Sequence, residues 1–286
     1  MLGYVILDCH THVFPPEIIA NRSRFLERED WFARLYSSEK ARMASAEGLI
    51  EEMDRCGVDK AVACGFAWND FGLYAETNSY IADAVSRFPE RLIGFANVPP
   101  LHPGALEELE RCDSLGLKGI GELKPFGQGF DLSEDIDRLR FLAEFAAAKG
   151  MPLLIHLSEP VGKDYPGKGG TSPRKGYHFA RLFPDLKLIF AHWGGGLLFY
   201  ELMPDVHQDL SNVYYDCSAS PYLYDTDVYK LAFSLPCEDR LLFASDYPLM
   251  RMDRCLEEVR SAGLACDQLD AFMGGNAAAL FGEGPL

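Results

Sequence analysis

A single-domain (β/α)8 barrel is the fold this sequence predicts, and three observations predict it. The chain has 286 residues, near the roughly 250 typical of such barrels. Eight apolar strand-like runs recur along it, each followed by a helical pattern or a loop large enough to hold one. The first run closes in DCHTHV, Asp8 to Val13, where a doubly wound open sheet would place a glycine-rich dinucleotide turn. No linker, repeat or low-complexity segment divides the chain, so residues 1–286 read as one domain.

In order, strands are predicted over Tyr4–Val13, Lys60–Phe66, Leu92–Val98, Leu117–Leu123, Pro152–Leu157, Leu186–His192, Val213–Ser218 and Leu241–Asp246. Helical periodicity falls between them. Ala46–Cys56 carries Leu49, Ile50 and Met53, and Ser79–Phe88 carries Ile81 and Val85. A helix running to Lys149 has a capping-type start at Ser133 and a stop at Gly150. Arg254–Ala262, with Asp253 as its cap, and Gln268–Phe281 close the chain. Two segments read as insertions over the barrel mouth, because each follows a strand end. Pro15–Ser45, after strand one, is rich in charge and aromatics. Glu159–Lys175, after strand five, carries Pro160, Gly162, Pro166, Gly167, Gly169, Gly170 and Pro173.

Composition narrows the function. Hydrophobic residues make up 48% of the chain, enough for a large core, yet no stretch of about 18 apolar residues suggests a membrane span. The chain enters a strand almost at once, which leaves no room for a signal peptide of about 15–30 residues. The eight cysteines show no short paired spacing, so they read as reduced core residues of a cytoplasmic protein. A net charge of −16 with no basic stripe argues against nucleic acid as a partner.

The chemistry is carried by polar residues at strand ends. His10 and His12, two apart, put both imidazoles on one face of strand one, where they can begin a metal site but not complete it. Of the seven histidines, His156 and His192 also end apolar strands, while His102, His178 and His207 fall in loops or helices. Any one strand-end histidine could be a core residue bonded to a carbonyl; four at the same end favour metal or substrate contact. Glu122 follows Gly119, Ile120 and Gly121 on an apolar strand, and burying its carboxylate requires a partner. Lys124, two residues on and on the same face, is one partner, and a metal ion, or two bridged ions, is the other. Asp246 ends strand eight and can both ligate a metal and accept a proton. Asp8 lies on the His10 face and reads as a partner to a ligand. Asp216 and Ser218 line strand seven at the mouth. Lys124, Arg174, Lys175 and Arg251 are candidates to hold an anionic substrate group, and Trp68 and Trp193 to wall the pocket or pack in the core.

DCHTHV, FAHWGGG and LLFASDYP resemble, in order, the motifs of strands one, six and eight of the amidohydrolase superfamily. Nearest is the branch of aminocarboxymuconate semialdehyde decarboxylase and related metal-dependent hydrolases, whose closing helix GGNAAALFG also resembles. The resemblance spans nearly the whole chain. It implies that His10, His12, His156 and Asp246 hold a divalent metal, that His192 ligates it or polarises a substrate oxygen, and that Asp246 shuttles a proton. It also suggests a homodimer. GIGEL around Glu122 instead resembles the TatD-type nuclease branch, where a strand-four glutamate joins the metals, so one or two ions are implied.

Nitrogen and oxygen ligands suit zinc, and manganese or iron would also fit. Such an ion lowers the pKa of bound water from about 15.7 to about 7. The leading expectation is therefore hydrolysis of a small amide, ester or lactone. The second is non-oxidative decarboxylation of an unsaturated or aromatic acid. A two-metal phosphoesterase or nuclease is third, favoured by Glu122 and opposed by the acidity.

Overall fold

The computed structural model describes residues 5–282; Tyr4, the first residue of the predicted first strand, lies outside the described residues. Eight parallel strands follow one another around a sheet: β1 (Leu7–His12), β2 (Lys60–Cys64), β3 (Leu92–Ala96), β4 (Gly119–Leu123), β5 (Leu153–Ile155), β6 (Leu188–Phe190), β7 (Val213–Asp216) and β8 (Leu241–Leu242). Hydrogen bonds join the ends of this sheet. Cys9 N donates to Phe243 O at 2.9 Å, Asp246 N to His10 O at 2.9 Å, and Thr11 bridges Tyr247. The result is the predicted (β/α)8 barrel.

Side-chain alternation fills it. Residues two apart share a face, so Leu7, Cys9, Val62, Cys64, Phe95, Leu154, Ile189 and Leu242 pack inside. Their neighbours Ala61, Ala63, Ile120, Leu153, Leu188, Phe190 and Leu241 face the helices. Ala46–Cys56 forms where predicted, capped by Ser45 Oγ on Gly48 N at 3.2 Å and ended by Gly57 at φ 72°.

Three helix starts differ from the sequence reading. The helix of Phe71–Arg87 begins well ahead of Ser79, because Asp70 caps it through Leu73 N. Ile136–Lys149 begins after Ser133, whose hydroxyl and amide are taken by Asp131 at 2.6 and 2.8 Å. Met252–Ser261 is not capped by Asp253; Arg251 occupies that position and Asp253 pairs with Arg251 and Arg55 instead. The closing segment is helical from Cys266 to Phe281, with a wider turn at Ala271–Gly275.

The insertion after β1 folds into short helices, Pro16–Ala20, Arg22–Leu26 and Asp30–Tyr36. Its Phe32 and Tyr36 pack with Phe14, Phe66 and Trp68. Trp68 is fully buried and gives its N–H to Thr77 Oγ1 at 3.0 Å, so it is a core residue. All eight cysteines are free, and all but Cys56 and Cys266 are buried. No helix among the described residues is long and apolar enough to cross a membrane.

Candidate metal centre and active site

The C-terminal ends of β1, β4, β5, β6 and β8 bring His10, His12, Glu122, His156, His192 and Asp246 to one buried place, none of them more than 8% exposed. Local backbone explains how. His192 and Asp246 have left-handed φ values of 59° and 62°, as do Trp193 and Ala219 beside them. Such angles cost a residue with a side chain roughly 1–2 kcal/mol. The turn at His192 follows a β6 that stops at Phe190, and β8 pairs only over Leu241–Leu242, both short of the predicted limits. On β4 a Cβ at Gly121 would collide with the Leu154 carbonyl, so only glycine lets the chain pass there to deliver Glu122.

Every imidazole is aimed through its outer nitrogen. His10 Nδ1 meets Asp216 Oδ2 at 2.9 Å, His12 Nδ1 meets Gly65 O at 3.2 Å, and His192 Nδ1 meets Ser218 O at 3.0 Å. Protons on these Nδ1 atoms leave the Nε2 lone pairs facing inward. His156 is reversed: Nε2 meets Ser158 Oγ at 3.1 Å and Nδ1 faces Glu122 Oε1 at 2.9 Å.

A divalent cation fits this arrangement. His10 Nε2 and His12 Nε2 are 3.1 Å apart, and each is 3.4 Å from Glu122 Oε2. Asp246 Oδ1 is 3.3 Å from His12 Nε2 and 3.9 Å from His10 Nε2. Ligand atoms around an ion with bonds of about 2.1 Å stand about 3–3.4 Å apart in tetrahedral or octahedral order. Glu122 Oε2 is buried with no well-directed hydrogen bond, although Lys124 Nζ is 3.0 Å away. Lys124 apart, acceptors converge here without donors, which is what a cation requires.

Burial works against charge on His10 and His12, but the carboxylates around them raise His10 well above its ordinary range and raise His12 as well, so the cluster calls for positive charge. Burial opposes charge on Glu122, yet Lys124 and His10 outweigh it and hold the carboxyl well below its ordinary range. Burial likewise raises Asp246, but the His12 hydrogen bond and the neighbouring imidazoles bring it down to about 2. His156 falls to about 4 through burial and the Lys124 charge, so it stands neutral at pH 7 and fit to ligate.

The other expected residues divide. Lys124 reaches the centre. Ser218 is fully buried and serves His192, with Oγ 2.9 Å from Nδ1 and 2.5 Å from Asp216 Oδ1. Trp193 is not a pocket wall: it is buried, stacks on Phe272 and donates to Ser220 Oγ at 2.5 Å. Arg251 does not approach the centre either, being exposed and paired with Asp253. Lys175 pairs with Asp131. Arg174 is exposed on a cavity of about 1160 Å³ beside the mouth, walled also by Tyr165, Tyr177, Phe199 and Tyr224. Asp8 binds the amides of His10 and Ser245 at 3.2 and 3.0 Å rather than a ligand ring. Sequence reasoning missed Ser158, Asn97 and Gln128. Asn97 donates to Glu122 O at 2.6 Å, and Gln128 accepts from Lys124 N at 3.0 Å and donates to Asn97 Oδ1 at 3.0 Å. Those residues fix the β4 end; only their nearness after folding marks them.

A parallel barrel with acid, imidazole and ammonium groups gathered at the C-terminal rim defines an enzyme of the metal-dependent barrel class. The sequence profile described as amidohydrolase matches residues 7–282, and the chain belongs to that family. It is 29% identical over 201 residues to the 2-amino-3-carboxymuconate-6-semialdehyde decarboxylase of Dictyostelium discoideum, a match covering 60% of this chain and 55% of that protein. The matched stretch is thus little more than half of the relative's length. Among solved structures, 5-carboxyvanillate decarboxylase of Sphingomonas paucimobilis superposes with a TM-score of 0.75 at 20% identity, covering 98% of this chain and 99% of that one. The 5-carboxyvanillate decarboxylase of Novosphingobium aromaticivorans, complexed with manganese and 4-hydroxy-3-methoxy-5-nitrobenzoic acid, gives 0.75 at 22% identity, covering 98% and 97%. These likenesses show the shared fold.

Proposed function

We propose that the chain is a metal-dependent, non-oxidative decarboxylase of a small aromatic or unsaturated carboxylic acid. This reading replaces hydrolysis as the leading one, because the curated relative and both solved structures above are named as decarboxylases. The observation that carries it is the Lys124 ammonium, only 13% exposed and 3.0 Å from Glu122 Oε2, beside the imidazoles at the mouth. A fixed cation at that depth suits a substrate that arrives as a carboxylate.

His10, His12, Glu122 and Asp246 would hold the ion, with His156 and His192 on the other oxygen of Glu122. Zinc suits the donor set and manganese equally, since imidazole and carboxylate ligands accept both. When bound, the ion acts as a Lewis acid that draws substrate oxygens toward it. Lys124 pairs with the carboxylate and sets its orientation. Decarboxylation breaks one C–C bond, releases CO2 and needs one proton at the carbon left behind. Asp246, on the more open side of the cluster and linked to His12, relays that proton. His192, aimed by Ser218, donates to or polarises a ring or enolic oxygen on which charge gathers.

The test is a panel of carboxyl-¹³C-labelled aromatic and unsaturated acids, with esters and lactones alongside, offered to manganese- and zinc-loaded protein. Labelled CO2 is the expected product. Hydrolysis of an ester or lactone, with no CO2 from any acid, would return the assignment to a hydrolase.

A further inference from the structure

We propose that the cavity beside the mouth is a second substrate subsite, which takes the far end of a two-ring aromatic acid carrying an anionic group there. The inference rests on the reading above that the substrate is a carboxylic acid, and adds its size and its second charge.

The cavity is continuous with the metal centre. Two of its wall segments extend strand ends that bear site histidines. Glu159 follows Ser158, which bonds His156, and Gly195 belongs to the left-handed run that starts at His192. The segments touch, since a Cβ on Gly195 would stand 2.7 Å from the Ser158 carbonyl oxygen. A substrate held at the centre extends into the cavity over this seam. Tyr165, on the cavity wall, still feels the Asp246 charge: burial and Glu159 push its phenol up most, and Tyr224 and Asp246 add to that.

The space suits more than one ring. Its volume is about 1160 Å³, at the top of the roughly 300–1,000 Å³ that holds a drug-sized molecule. Tyr165, Tyr177, Phe199, Tyr200, Tyr222 and Tyr224 wall it, and such rings pack well on a flat aromatic occupant. The wall is braced before any ligand arrives. Tyr165 Oη donates to Glu159 Oε2 at 2.9 Å, Lys168 Nζ to Val161 O at 2.8 Å, and Gly169 N to Ser158 Oγ at 3.1 Å.

The charge suits an anion. In a chain of net charge −16, nearby cations are paired, Lys175 with Asp131 and Arg181 with Asp209. Arg174 and Lys163 line the cavity, and among the described residues their side chains have no ion pair or hydrogen bond. Glu159, the acid on the wall, is engaged by Tyr165. Arg174 sits in the first turn of Pro173–Leu182, which holds no acid, so the helix dipole disfavours a cation there. A planar guanidinium kept against the dipole and without a partner matches a carboxylate brought by the substrate.

Full-length, Mn²⁺-loaded protein is titrated calorimetrically with benzoate, a biphenyl monocarboxylate and a biphenyl dicarboxylate charged at both ends. Affinity should rise in that order, by about 2- to 10-fold for the second ring and about 2- to 5-fold for the second charge, the worth of an exposed pair. Tyr224→Leu should remove most of the first step. Arg174→Gln should remove the second, and Arg174→Lys should restore part of it. If the three acids bind alike and neither position matters, the subsite is overturned while the carboxylic-acid reading stands. If no acid binds, both fall. A dimer that Tyr200→Glu splits, with no preference among the acids, assigns the cavity to a second copy of the chain and also overturns the subsite.

Discussion

His10 Nδ1 lies 2.9 Å from Asp216 Oδ2, so an imidazole carried by β1 is aimed by a carboxylate carried by β7. Asp216 Oδ1 meanwhile accepts from His192 N and Ser218 N, each at 3.0 Å. One buried side chain thus orients ligands on two strands. Asp216→Asn is expected to weaken metal binding by about 10–100-fold, the usual effect of removing such a partner. Competition with a chromophoric chelator measures it; an unchanged affinity would show that Asp216 only holds the barrel together.

Lys124→Met should lower kcat/KM for a carboxylic acid substrate about 10- to 150-fold, the worth of a charged hydrogen bond of about 1.5–3 kcal/mol. Lys124→Arg should recover part of the loss. If metal content falls in parallel with activity, Lys124 serves the ion's ligands and not the substrate.

Asp246→Asn should keep the fold and reduce turnover by about 10²–10⁴, the range for loss of a proton-transfer group. Steady-state kinetics on metal-replete protein read this directly, and a change confined to KM would remove Asp246 from the proton path.

Asp131 ties the segment before Ile136–Lys149 to Lys175 on the helix Pro173–Leu182. Burial works against its charge, but Lys175 and the Ser133 contacts hold its carboxyl down at about 2. A depressed carboxyl contributes stability above its unfolded value of about 3.9 and loses it as pH falls through the folded value. The thermal midpoint of Asp131→Asn should therefore lie below that of the unaltered chain at pH 6, with the gap narrowing between about pH 4 and 2. A gap independent of pH would assign the effect to packing.

Cys64 and Cys237 are buried, and burial pushes both thiols up to about 12. Cys266 is exposed. A disulfide-exchange reagent at pH 8 should titrate Cys266 rapidly and the half-buried Cys56 more slowly in the native chain, and all eight after denaturation. Prompt reaction of several native thiols would mean that the barrel opens readily.

The barrel was legible because its signal is repeated: eight apolar runs in register with helical spacers. His10, His12, His156, His192 and Asp246 could be seen as candidates because each interrupts such a run at the same end. Glu122 was visible for a different reason, the cost of hiding a carboxylate among Gly119, Ile120 and Gly121. Helix starts were read less well. Asp70 looks no more like a cap than Ser79 until Leu73 N is seen to need one. Between the two readings of Trp193, pocket wall or core, the sequence did not choose. Sequence shows that it follows His192, but the left-handed turn that ends β6 there, and the stacking on Phe272, are seen only in the fold. Ser158, Asn97 and Gln128 act through contacts with residues distant along the chain or through backbone atoms, which leave no local pattern.

That turn has an optical consequence. His192 and Trp193 are consecutive and share one stiff kink, so a ligand that pulls on the imidazole must also shift the indole against Phe272 and Ser220. The chain carries only two other tryptophans, Trp31 and Trp68, both packed away from this corner. Replacing them would leave a single tryptophan whose emission is expected to follow occupancy of the rim in real time, with no dye attached.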